Sequence, residues 1–94
     1  MKTVAVYYME NKGLSTRIAL NNMKDKVKNE NWIIRGVFID KMNEYEALMH
    51  VLTNEFSKID ILYIYTLDSI KDDFYWDILL ESTRVDSVQI IEYK

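Results

Sequence analysis

Hydrophobic positions along the 94 residues follow two alternating rhythms. Four short runs, residues 4–8, 33–39, 61–65 and 88–93, are rich in Val, Ile, Tyr and Phe and predict β-strands. The first and third are apolar almost throughout, as central parallel strands covered on both faces should be. Between the strands the apolar residues recur at helical spacing. Leu14, Ile18, Leu20, Met23 and Val27 stripe residues 15–30. Ala47, Leu48, Val51, Leu52 and Phe56 stripe residues 44–56, and Ile70, Phe74, Ile78 and Leu79 stripe residues 70–81. Ser15 or Asn11 is placed to cap the first of these helices.

The order β-α-β-α-β-α-β predicts right-handed crossovers and a three-layer α/β/α sandwich. The expectation is one domain over residues 1–94 with four mainly parallel strands in the spatial order 2-1-3-4. The last strand would then be an edge, and an open edge pairs with another chain unless it is protected. In such sheets ligands and chemistry gather at the carboxyl ends of the strands. There the first strand runs into Met9, Glu10 and Asn11, a turn with no strong nucleophile and no cation.

Composition narrows the function classes. An apolar fraction of 49% supports a real core. The absence of cysteine removes disulfides and thiolate metal sites, and fits a cytoplasmic location. No apolar run approaches the roughly 20 residues that cross a bilayer, and the N-terminus has no signal-peptide pattern. The net charge of −3 argues against a broad DNA-binding face, because such faces neutralise phosphates with basic residues. DNA contact through a local patch stays open. Lys24, Lys26 and Lys28 lie among Asp25 and Glu30 and read as a solvated helix face.

Three segments carry a resemblance to a known family. The first is Val6-Tyr7-Tyr8-Met9-Glu10-Asn11, the second Val37-Phe38-Ile39-Asp40-Lys41. The third, Ile59-Asp60-Ile61-Leu62-Tyr63-Ile64-Tyr65-Thr66-Leu67-Asp68, is the most specific, an apolar run behind Asp that ends in Leu-Asp. With this order of elements the chain resembles, over nearly all its length, the N-terminal catalytic domain of serine recombinases, the resolvase/invertase family, in a degenerate and truncated form. The resemblance implies an enzyme in which a serine attacks a DNA phosphodiester while arginines hold the phosphate. It also implies a long dimerisation helix and a DNA-binding domain beyond this region, which these residues do not contain.

Position by position, the resemblance places Asn11 at the nucleophile, Met9 at a neighbouring arginine, and Ser69 and Asp72 at two further arginines. Tyr45 falls near another arginine, and Ala19 about where a helix glutamine would sit. The turn 41–43 replaces a Ser-Gly mobile loop. Asp40 and Asp68 alone of the polar set persist. Phosphoryl transfer rests on an activated hydroxyl and fixed cations, so this pattern predicts a non-catalytic relative acting through protein contacts, with itself or with a recombinase. A fragment or subunit taking part in site-specific DNA recombination is the alternative.

Other residues carry weaker readings. Ser15 is the nearest hydroxyl to the opening turn and becomes the nucleophile only with a register shift; as a helix cap it needs no such shift. Asp68, with Glu10 helping to hold magnesium, would make a phosphoacceptor in a small signalling domain; capping or backbone bonding is its bland reading. His50, the single histidine, cannot form a zinc site alone and belongs on a helix surface. No cofactor and no metal are expected. Acidic and aromatic residues 72–77 open the third helix, with Phe74 expected in the core. Tyr75 and Trp76 cannot both join it at helical spacing, so at least one of them is expected to be exposed, and both are candidate partner-binding anchors.

Overall fold

The computed structural model describes all of residues 1–94. Strands β1 (Thr3–Met9), β2 (Ile33–Asp40), β3 (Ile61–Ile64) and β4 (Gln89–Glu92) form one sheet in the order β2-β1-β3-β4. Every neighbouring pair is parallel. Helices α1 (Thr16–Asn29), α2 (Glu46–His50) and α3 (Asp73–Asp86) supply the crossovers. The expected fold class and strand order are therefore present.

The centre of the sheet explains the sequence pattern. Every β1 residue from Val4 to Met9 is buried. Alternate side chains serve opposite faces. Val4 and Val6 join Met23 and Val27 of α1 with Ile61 and Tyr63 of β3. Ala5, Tyr7 and Met9 join Leu48, Val51, Leu52 and Phe56 from the second crossover and Leu79 of α3. Full burial of each large apolar side chain contributes about 1.5–3 kcal/mol, so both faces of β1 hold the layers together. The layers are unequal: one face carries α1 alone, the other carries α2 and α3.

Several details differ from expectation. In α1 the inward line is Ala19, Met23 and Val27, spaced four apart, while Ile18 stands one residue off that line and is 54% exposed. The second helix is not uniform. It passes from α2 into a π-helical turn at Val51–Glu55 and a 3-10 turn at Phe56–Lys58. The fourth strand is shorter than its apolar run, with Val88 buried just before it.

Helix α3 starts at Asp73, not at residue 70, because Asp72 is its cap: the Asp72 carboxylate accepts from the Phe74 amide at 2.8 Å. Ile70 is extended and buried in the approach to the helix. Leu79 fixes the helix phase. Tyr75 and Trp76, four and three residues before it, share its face and are half-buried. Phe74, five residues before it, is turned about 140° away and is 64% exposed. Phe74 is thus the exposed ring: the expectation that it faces the core is overturned, and so is the expectation that Tyr75 or Trp76 stands exposed as an anchor.

Strand β2 contains the one glycine that a close approach requires. The Phe38 ring lies over Gly36, where an added Cβ would come within 2.8 Å of it. Phe38 also meets the His50 ring at 5.9 Å between centroids. His50 itself is exposed and shares a hydrogen bond with Asn54.

Candidate functional site

The carboxyl ends of β1 and β3 open onto two adjoining clefts. The smaller, about 180 Å³, is lined by Met9, Glu10, Asn11, Met42, Asn43, Ser69 and Lys71. The larger, about 460 Å³, is lined by Leu67, Asp68, Ile70, Lys71, Asp73 and Trp76. The topology thus brings Met9, Asn11 and Ser69 together from distant parts of the sequence. Asp68 and Trp76 lie next door, and Asp72 lines neither cleft.

Most of these side chains are already committed to local structure. The Asn11 side chain accepts from the Gly13 amide at 2.9 Å and donates to the Tyr8 hydroxyl at 3.3 Å. It therefore folds the turn and does not cap α1. Ser15 occupies the cap position of α1 with extended backbone, yet its exposed hydroxyl makes no capping bond. Only its carbonyl serves the helix, accepting from the Ala19 amide at 3.0 Å. Ser15 lines neither cleft, and Ala19 is sealed beneath α1. Met9 is 4% exposed and belongs as much to the core as to the cleft.

On the β3 side, Thr66, Leu67, Asp68 and Ser69 form a tight turn. The Ser69 hydroxyl donates to the Thr66 carbonyl at 2.8 Å, and the Asp68 amide donates to the Thr66 hydroxyl at 3.3 Å. The Asp68 carboxylate is exposed at the larger cleft, whereas Glu10 lines the smaller one and accepts from the Thr16 hydroxyl at 3.3 Å. No cluster of three potential metal ligands forms anywhere in the chain.

Asp40 and Tyr45 are brought near this end of the sheet without reaching either cleft. Asp40, 5% exposed, accepts from the Tyr7 hydroxyl at 2.7 Å and from the amides of Ala47 and Leu48 at 2.8 and 3.0 Å. Its carboxylate caps α2 from the end of β2 and satisfies orphan amides there. Burial, and then the bond to Asp40, raises the Tyr7 phenol far above its usual value. Tyr45 accepts from the Lys71 amide at 3.2 Å and stacks on Tyr75, with ring centroids 4.2 Å apart. Tyr75 is thereby a packing residue of the fold.

Lys71 is the residue that sequence reasoning passed over. It lines both clefts and is the single cation in either lining. Its signal was present in Ser69-Ile70-Lys71-Asp72, one residue before the position where the resemblance expects an arginine.

No family model matches the sequence, and no curated protein matches it. Among solved structures, the chain is similar to the crystal structure of the N-terminal catalytic domain of TP901-1 integrase, with a TM-score of 0.81 and 16% identity. The match covers 98% of this chain and 77% of that one. At this identity the likeness is one of fold. No helix here is long and apolar enough to cross a membrane. The chain carries the resolvase-like α/β fold of a serine recombinase catalytic domain.

Proposed function

We propose that this protein is a resolvase-like domain without strand-exchange chemistry that acts through protein contacts. The observation that carries this reading is that the fold itself occupies the polar side chains at the positions where the resemblance expects a nucleophile and two arginines. Asn11 holds the Gly13 turn, Ser69 donates to the Thr66 carbonyl, and Asp72 caps α3. A nucleophilic hydroxyl works through a neighbouring base that takes its proton. Ser69, the one hydroxyl side chain lining the smaller cleft, directs its proton to a carbonyl. Lys71 stands as a lone cation where charge stabilisation of a phosphoryl group calls for several fixed donors.

The test is incubation of the purified chain with supercoiled plasmid and with a pool of random-sequence duplex, followed by denaturing electrophoresis. The expected result is neither nicking nor a protein–DNA adduct. An adduct that disappears in Ser69→Ala or Ser15→Ala overturns the reading. Lys71 favours a second reading, residual DNA contact within a recombination assembly. Salt-sensitive binding to the same duplex pool, weakened by Lys71→Ala, would support it; the net charge of −3 runs against it.

A further inference from the structure

Strand β2 is the longest in the sheet, with eight residues, and it lies at an edge. Its opposite number, β4, has four. Natural edges are guarded by proline or lysine, and also by bulges or covering elements. Strand β2 has neither residue between Ile33 and Asp40. A bulge interrupts its pairing near Arg35, and beyond it the ladder is regular to Asp40.

Asp40 turns its carbonyl to the Glu10 amide, so its main chain faces β1. By alternation the main-chain groups of Val37 and Ile39 face outward from the sheet. Their side chains pair with Val6 and Tyr8 and so lie on the α1 face, where the single helix packs over Val4, Val6, Ile61 and Tyr63. Ile34, Val37 and Ile39 consequently stand beyond the cover of α1, with exposures between 36% and 42%. Free main-chain groups and an apolar row thus coincide on one strand.

Charge decides which occupant fits. The strand holds one cation and one anion. Arg35 is paired with Glu55 at 2.7 Å, and Asp40 is buried among three donors. An edge without net charge offers nothing to nucleic acid or to a strongly charged peptide. It fits an equally long, equally neutral, apolar strand, and β2 of another copy is such a strand. Eight residues span about 26 Å, most of the molecule's 32 Å length. Pairing along that side would cover the exposed Ile34, Val37 and Ile39 row of each copy. The mutual repulsion of two copies at −3 each is small and screened within about 8 Å at physiological salt.

We infer that β2 pairs antiparallel with β2 of a second copy about a two-fold axis, making an eight-stranded sheet across the dimer. The inference deepens the protein-contact reading by naming the partner. Its test is independent of that reading's DNA test, since oligomeric state and adduct formation are separate measurements.

The experiment is sedimentation velocity on the full chain from micromolar to millimolar concentration, with Val37→Lys and Ile39→Lys as variants and Ile18→Lys as an exposed control. A dimer is expected for the parent chain and the control, with at least roughly tenfold weaker association in either β2 variant. Hydrogen exchange on the parent chain supplies a variant-free readout: the Val37 and Ile39 amides are protected in the dimer and exchange faster on dilution. A monomer throughout, an open polymer, or a dimer that leaves these two amides unprotected overturns the inference.

Discussion

The Asp40 carboxylate accepts a hydrogen bond from the Tyr7 hydroxyl at 2.7 Å inside the core, joining the end of β2 to the middle of β1. The same carboxylate anchors the amides of Ala47 and Leu48 at the start of α2. Asp40 therefore ties two strands and a helix at one point. Asp40→Ala removes all three bonds and leaves a buried hydroxyl and two helix amides without their partner. Charge-assisted bonds of this kind contribute about 1.5–3 kcal/mol each and are not additive. The expected loss is about 3 kcal/mol, read as a fall in denaturant midpoint at unchanged slope. Tyr7→Phe removes one bond and keeps the amides, so its loss should be about half as large. Equal, near-zero losses would refute the structural assignment.

That role for Asp40 marks where sequence reading stops. Strand order was legible because β1 and β3 are apolar on both faces, which only central strands require. The start of α3 was not legible. Ile70 and Phe74 fit the helical period with Ile78, and nothing local shows that the Asp72 side chain bonds the Phe74 amide and delays the helix by three residues. The cleft was half legible. Met9, Asn11 and Ser69 were placed by resemblance and do meet. The arrival of Lys71 depends on the path of the chain past the Tyr45 hydroxyl, a contact 26 residues away in sequence. Asp40 was read as a remnant of a site because its partner Tyr7 lies 33 residues earlier.

The two adjacent rings Phe74 and Tyr75 should respond oppositely to truncation. Tyr75 is half-buried and stacked on Tyr45, whose hydroxyl receives the Lys71 amide. Phe74 touches Tyr75 only edge-on and is largely solvated. Tyr75→Ala should cost about 2–3 kcal/mol, below the value for a fully buried aromatic. Phe74→Ala should stay within about 0.5 kcal/mol. Paired thermal melts of the two variants separate them. A large loss for Phe74→Ala alone would mean that the helix phase set by Leu79 is wrong.

Ser87 closes α3 in the left-handed region, with φ 55° and ψ 39°. Its amide still bonds the Thr83 carbonyl, the arrangement that favours glycine after a helix. A side chain there works against the backbone by about 1 kcal/mol. Ser87→Gly should therefore stabilise the chain, by about 0.5–1 kcal/mol once the greater freedom of glycine in the unfolded state is included. A raised melting temperature is the expected result. A lowered one would show that the Ser87 side chain contributes more than its conformation costs.

Tyr63 sits in the middle of β3 with its hydroxyl buried and without a hydrogen-bond partner. Its ring meets Trp32 and Tyr93 edge-on. Burial, with Tyr93 and Glu30 adding smaller effects, pushes its phenol up to about 12. The unfolded chain would release that proton near pH 10 while the folded chain keeps it, so the folded state binds more protons above pH 10. Stability is then fully present below pH 10 and falls as the pH rises through about 12, by at most about 1.4 kcal/mol per pH unit for this residue. The Tyr7 phenol, raised still further, adds to the same decline. Tyr63→Phe removes an unsatisfied polar group and should stabilise the chain by about 1 kcal/mol at neutral pH. It should also reduce the alkaline loss without abolishing it, since Tyr7 remains. Denaturant titrations at pH 7 and pH 11 measure both effects. A destabilised variant at pH 7 would mean that the Tyr63 hydroxyl has a partner, and an unchanged alkaline slope would assign the whole decline to other groups.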